Sequence, residues 1–177
     1  MATTVNIQEP LKLEILDQAN RARCCGSGNY DFRSINPVTK LKHSSESPIF
    51  DGHFLVTATL YSIEPDGQLQ KKSRNNLIGN TIAESRNLND LTGSRGIFFV
   101  FPNLYIRRPG SYKILYQLIS IFGPNGTSMI PESTVIDSVF SDTVSAYAPR
   151  YYPGKSKVSM LLRFLAKQTP DLKTRNL

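Results

Sequence analysis

Tyr112-Lys113-Ile114-Leu115-Tyr116-Gln117-Leu118-Ile119-Ser120-Ile121-Phe122 is the stretch on which the fold class turns. Its length suits a helix as well as a strand. Its Tyr, Ile and Phe content favours a strand, and Pro109-Gly110 before it and Gly123-Pro124 after it are turn signals. As a strand it agrees with its neighbours. Phe54 to Ile63, FLVTATLYSI, is rich in aromatic and β-branched residues and stops at the turn Pro65-Asp66-Gly67. Gly96 to Phe101, GIFFVF, is an apolar run of strand length closed by Pro102. Leu11, Leu13 and Ile15 alternate with Lys12 and Glu14, the period of a half-buried strand. Further extended stretches are expected from Pro37 through Val38 and Leu41 to His43, at Leu77-Ile78-Gly79-Asn80, and once between Val135 and Val144. The polar, basic run Gln68 to Asn76 reads as a hairpin tip or loop.

The end of the chain changes character. Val158, Leu161, Leu162 and Leu165 fall on one helical face, Ser156 is placed to cap a helix, and Thr169-Pro170 stops it. Short strands separated by Pro/Gly turns, followed by one helix, predict a mainly β chain: a β-sandwich with a C-terminal α-helix. The 177 residues suit one domain, here residues 10–176 behind a tail at 1–9.

The chemical inventory is thin. Two histidines, His43 and His53, are too few for a His-rich zinc site, and the adjacent Cys24 and Cys25 lack zinc-knuckle spacing. Neighbouring cysteines rarely bridge, so no disulfide framework is expected and a reducing compartment fits. No phosphate loop, nucleophile elbow or dinucleotide fingerprint is present. The expectation is a protein without cofactor, metal or catalytic residues: not an enzyme. No apolar run approaches the ~20 residues of a membrane span. The polar start of the chain does not read as a secretory signal.

The charge is more informative. The formal net charge is +7, which attracts polyanions. Arg21, Arg23, Arg33, Lys40, Lys42 and His43 lie in or beside the loop that follows the first strand, and only Asp31 opposes them between residues 18 and 43. An arginine fork binds phosphate or the O6/N7 edge of guanine through two bonds; lysine adds phosphate attraction. The residues alone leave two readings equally open, a nucleic-acid surface or a solvated basic loop. A second group, Arg150, Lys155, Lys157, Arg163, Lys167, Lys173 and Arg175, reads first as the solvated side of the helix. Lys71-Lys72-Ser73-Arg74 is a weak import signal, and Arg107-Arg108 reads most simply as turn decoration.

Several segments, in order, resemble the fungal velvet family. Gln18 to Gly26 is similar to its opening Gln-Pro-x-x-Ala-Arg-x-Cys-Gly stretch, and Arg33-Ser34-Ile35-Asn36-Pro37 to its Arg-Pro-Ile-Asp-Pro element. Leu77-Ile78-Gly79 resembles a Leu-x-Gly element. Asp90-Leu91 with Gly96 to Leu104 resembles its Asp-Leu…Gly-x-Phe-Phe-Val-Phe-Pro-Asp-Leu signature. Arg107 to Tyr112 and Ser145 to Gly154 resemble the segments that follow, and the terminal helix fits. The proline-rich run after the second element is replaced here by Val38-Thr39-Lys40-Leu41, and Arg150 stands where a lysine is usual.

The resemblance implies an immunoglobulin-like, Rel-type β-sandwich. It implies a nuclear regulator, possessing a route between nucleus and cytoplasm, that binds double-stranded DNA as a homo- or heterodimer with other velvet-family subunits. The processes implied are fungal development, sporulation and secondary metabolism. Rel-type proteins read the major groove with an Arg-x-Arg-x-x-Cys loop, to which Arg21, Arg23 and Cys24/Cys25 look similar. On this basis Arg21 and Arg23 are expected at bases and Arg33, Lys40 and Lys42 at phosphates, with His43 in the same DNA-binding set. The alternative is a pairing subunit whose partner reads the DNA.

Overall fold

Phe98 and Phe99 are adjacent and both fully buried. Neighbours in an extended chain point to opposite faces, so the strand that carries them is covered on both sides. That requirement organises the molecule into three layers: a large sheet, a small sheet and a helix.

The computed structural model describes residues 11–26, 33–42, 54–120, 135–154 and 157–169. Its strands are β1 (Lys12–Asp17), β2 (Arg21–Arg23), β3 (Val38–Lys42), β4 (Phe54–Ile63), β5 (Leu69–Lys71), β6 (Leu77–Gly79), β7 (Ile82–Glu84), β8 (Arg86–Asn89), β9 (Arg95–Val100), β10 (Leu104–Ile106), β11 (Gly110–Ser120), β12 (Val135–Phe140) and β13 (Val144–Tyr147), and its helix is α1 (Met160–Gln168). Single 3-10 turns lie at Arg74–Asn76 and Pro149–Tyr151.

The small sheet has the order β1-β3-β9-β8. The large sheet runs β2-β13-β11-β4-β5, with β12 also on β11 and β7 also on β4. β10 and β6 form a separate ribbon. β13 with β2 is parallel, and the other pairings are antiparallel. The expected strand Tyr112 to Phe122 is β11, of which 121–122 lie outside the described residues, and the expected strand Phe54 to Ile63 is β4. Along β4 burial alternates strictly, with Phe54, Val56, Ala58, Leu60 and Ser62 inward. The register sets fully buried Tyr116 beside small Ala58, and Tyr116 meets Phe101 with ring centroids 5.3 Å apart. Ile97, Phe99, Leu13 and Leu41 of the small sheet complete this core between the sheets. Phe98, Val100, Val38 and Leu88 face the other way and pack beneath Leu162 and Leu165 of α1. The Tyr112 hydroxyl, 3.2 Å from the carbonyls of Arg108 and Pro109, donates back to the turn before β11, a tyrosine corner of the kind sandwich folds use.

Three expectations change. The segment from Val135 to Val144 holds the whole of one strand and the start of a second, because buried Ser141 interrupts it: its hydroxyl accepts from the Ile114 amide at 2.9 Å where a ladder carbonyl would otherwise serve. The basic run after Gly67 contains β5 and a 3-10 turn rather than only a loop. The helix is capped by Ser159, whose hydroxyl accepts from Leu162 N at 3.0 Å; Ser156 lies outside the described residues. Ser159 is selected by tertiary structure, since the same hydroxyl donates to Asp17 at the end of β1. The Leu-x-Gly element also acquires a reason. Gly79 has φ +95°, and a Cβ there would sit 1.7 Å from the Asn103 carbonyl oxygen across the ribbon.

Candidate nucleic-acid interface

β2 has only three residues, and only Ala22 among them is apolar. It forms because β13 offers a parallel partner: Ser145, Ala146 and Tyr147 lie beside Arg21, Ala22 and Arg23. Backbone bonds continue the pairing at both ends, from Ser145 N to Asn20 O and from Cys24 N to Tyr147 O, each 2.9 Å. Ala22 is buried in the sandwich core, so Arg21 and Arg23 share the opposite face of an edge strand. They stand on a strand, where the sequence placed them in or beside a loop.

Arg33 reaches the same place by another route. Ile35 is buried, and its amide donates to Leu104 O at 2.8 Å, which pins residues 33–36. The Arg33 guanidinium lies over the Tyr152 ring, 5.9 Å from its centroid. The lead-in to α1 adds Lys157 and Ser159. Arg21, Arg23, Arg33 and Lys157 thus line one cleft, in which Asp17 is the one carboxylate among the described residues. That carboxylate already accepts from Ser159. The cleft volume is about 100 Å³, below the ~300–1,000 Å³ of organic-ligand pockets. Its size suits contact with the edge of a larger anion better than enclosure of a small molecule.

Lys40 and Lys42 do not line this cleft. They lie two and four residues beyond Val38 on β3, roughly 7 and 13 Å along the strand at ~3.3 Å per residue. The Lys40 ammonium pairs with Asp90 at 3.3 Å and lies 5.2 Å from the Phe98 ring centroid. Asp90 also accepts from the Thr92 hydroxyl, and that bond above all, with Lys40 contributing, holds its carboxyl down at about 2. Lys42 is exposed on the same strand. His43 and His53 lie outside the described residues, as do Lys155, Lys173 and Arg175 of the second basic group. Within that group Lys157 joins the arginines, Arg163 and Lys167 are exposed on the helix, and Arg150 stacks on neighbouring Tyr151 at 4.5 Å. Sequence reasoning did not single out Asp17, Tyr152 or Ser159 for the site; their spacing carries no local signal.

Neither cysteine is shifted toward its thiolate. Burial, with Cys25 adding to it, pushes the Cys24 thiol up to about 11. Burial also raises Cys25, against the lowering effect of its own backbone hydrogen bond and of Arg107. Arg107 is therefore more than turn decoration: it is partly buried beside Cys25, while Arg108 is exposed. Among the described residues no three His, Cys, Asp or Glu side chains gather in a metal-binding group, and no helix is long and apolar enough to cross a membrane.

Comparison with known proteins places this geometry in context. Residues 42–176 match the family described as Velvet factor. The sexual development regulator umv3 of Mycosarcoma maydis is 25% identical over 93% of this chain and 45% of its own length. The velvet complex subunit umv2 of the same fungus is 28% identical over 81% of this chain and 28% of its own. The spore development regulator vosA of Beauveria bassiana is 22% identical over 94% of this chain and 66% of its own. The chain thus spans less than half the length of the first two.

Proposed function

The chain belongs to the velvet family, and on that premise we propose that it is a transcriptional regulator that binds double-stranded DNA as a homo- or heterodimer in the nucleus, shuttling through the cytoplasm, and governs fungal development, sporulation and secondary metabolism. One observation carries the DNA part: Arg21, Arg23, Arg33 and Lys157, brought from three separate parts of the chain, converge on one cleft at the exposed edge of the large sheet. Arg21 and Arg23, sharing one strand face, approach base edges; Arg33 and Lys157 hold phosphates. Lys40 and Lys42, further along the small sheet, contribute attraction at longer range, Lys40 less because Asp90 answers its charge.

The test is selection of bound oligonucleotides from a random pool at two salt concentrations. The expected result is a defined motif whose binding weakens as salt rises. Arg21→Ala with Arg23→Ala should erase that preference, at ~1–3 kcal/mol per lost base contact. A double variant that recovers the wild-type motif at wild-type affinity would falsify the assignment. A fluorescent fusion should concentrate in nuclei; steady exclusion from them counts against the nuclear placement.

A second reading, a pairing subunit that leaves the DNA to its partner, draws on the relatives named velvet complex subunits. Light scattering of the chain alone and mixed with other velvet proteins tests it. Co-elution without any DNA motif favours this reading over the first. Neither reading calls for catalysis.

A further inference from the structure

The register defines a second surface, the outer side of the large sheet. With Ala58 and Tyr116 inward, Thr59 of β4, Leu115 of β11 and Phe140 of β12 stand in one outward row. Tyr61 reaches Phe140 edge to face at 5.3 Å between centroids. Phe140 keeps 40% of its surface exposed and Ile82, beside Thr57 on β7, keeps 55%. Among the described residues no helix or strand packs over this face.

The same face is notched. β7 and β5 pair with the two ends of one β4 edge, and the chain between them bows away. The result is a groove of about 590 Å³, bordered by outward Thr57, Thr59 and Gln117 and by Lys71 and Arg74. The basic tract of the sequence is therefore built into structure. Lys71 is held in β5 beside Tyr61, Lys72 is neutralised by Glu64 at 3.2 Å, and Arg74 opens a 3-10 turn. Lys113 faces outward on the other side of Tyr61. Among the described residues no carboxylate pairs with Lys71, Arg74 or Lys113, and the one outward carboxylate on these strands, Glu84, lies at the far end beside Leu55.

An apolar centre with a cationic border is the mirror of an apolar segment bordered by carboxylates. A second copy of this chain suits it poorly, because a two-fold contact presents the same patch from both sides and brings like charges together. We propose that the outer face of the large sheet docks a partner protein through an acidic amphipathic segment. Its apolar side chains lie on Tyr61, Leu115 and Phe140 and enter the groove, and its carboxylates meet Lys71, Arg74 and Lys113. The site does not depend on DNA binding, since β2 and β5 occupy opposite edges of the sheet.

The experiment is fluorescence anisotropy with a short labelled peptide that alternates Leu and Phe with Glu, and with the same peptide carrying Lys for Glu. The acidic peptide should bind saturably and the basic one should not. Phe140→Asp, and separately Lys71→Glu with Arg74→Glu and Lys113→Glu, should each weaken binding about tenfold or more. Arg21→Ala with Arg23→Ala should leave it unchanged, which separates this site from the DNA reading. No binding of the acidic peptide, or wild-type binding by both outer-face variants, overturns the proposal. Dimers of the chain alone that Phe140→Asp dissolves would make a second copy the occupant, and loss of duplex DNA binding in the charge-reversed variant would make the surface a nucleic-acid one; either overturns it too.

Discussion

The two sheets of the sandwich each have an outer side, and the two sides differ. On the small sheet Val38, Phe98 and Val100 point outward and are sealed beneath Leu162 and Leu165 of the helix. On the large sheet Leu115, Tyr61 and Phe140 point outward with no described element above them. The covered side stabilises the fold, and it also fixes the lead-in to the helix, which delivers Tyr152, Lys157 and Ser159 to the arginine cleft. The bare side contributes little to holding the sheets together and is the surface proposed for docking. A strand sequence registers this difference: Phe98-Phe99-Val100-Phe101 is apolar at every position, while β4 interleaves threonines on its outward side.

The largest expected effect breaks the covered side. Leu165 is fully buried, and Leu165→Ala should cost about 2–5 kcal/mol. It should also weaken duplex binding, because the helix positions Lys157. Phe140→Ser on the bare side should cost less, about 1–1.5 kcal/mol, chiefly its edge-to-face contact with Tyr61. Denaturant midpoints check both; equal losses would erase the distinction between the two sides.

A smaller effect sharpens it. Gln168 ends the helix, and its carboxamide takes both backbone groups of Asn89, accepting from N and donating to O at 2.9 Å each. It stands in for a neighbouring strand on the open edge of β8. Gln168→Ala should cost about 1 kcal/mol and speed hydrogen exchange at Asn89. Unchanged protection there would mean that the helix is held by its leucines alone.

The smallest effect is electrostatic and lies on the small sheet as well. The Asp90 carboxyl is held at about 2 from an ordinary 3.8, first by Thr92 and then with help from Lys40. A depressed carboxylate stabilises the fold fully above its unfolded value, and that contribution is lost as pH falls through the folded one. Asp90→Asn should therefore reduce stability near neutral pH slightly and flatten the change between about 3.8 and about 2. An unaltered acid profile would show the turn to be indifferent to this charge. The effect stays small because the pair is solvent-accessible.

Much of the architecture was legible in the chain. β4 matches its expected limits, β9 and β11 fall where apolar runs sit between Pro/Gly turns, and α1 carries its leucines inward. The site was legible as a set of residue types rather than as a place. Arg21 and Arg23 were expected in or beside a loop because three residues with one alanine have no periodicity; β13, far along the chain, makes them a strand. Lys157 was assigned to the solvated side of a helix, and only the docking of that helix brings it to the arginines. Lys40 belonged to the expected basic set by proximity in sequence, yet Asp90 lies across a strand pairing from it.

The sequence by itself determined the strand-rich class, the terminal helix, the excess of positive charge and the velvet resemblance, because period and turn chemistry act between residues a few positions apart. Only the tertiary structure decided which serine caps the helix, which cations share a cleft and which sheet face stays bare. Those outcomes depend on partners distant in the chain, such as Asp17 with Ser159 and β2 with β13, and no local pattern encodes a contact whose other half lies more than a hundred residues away.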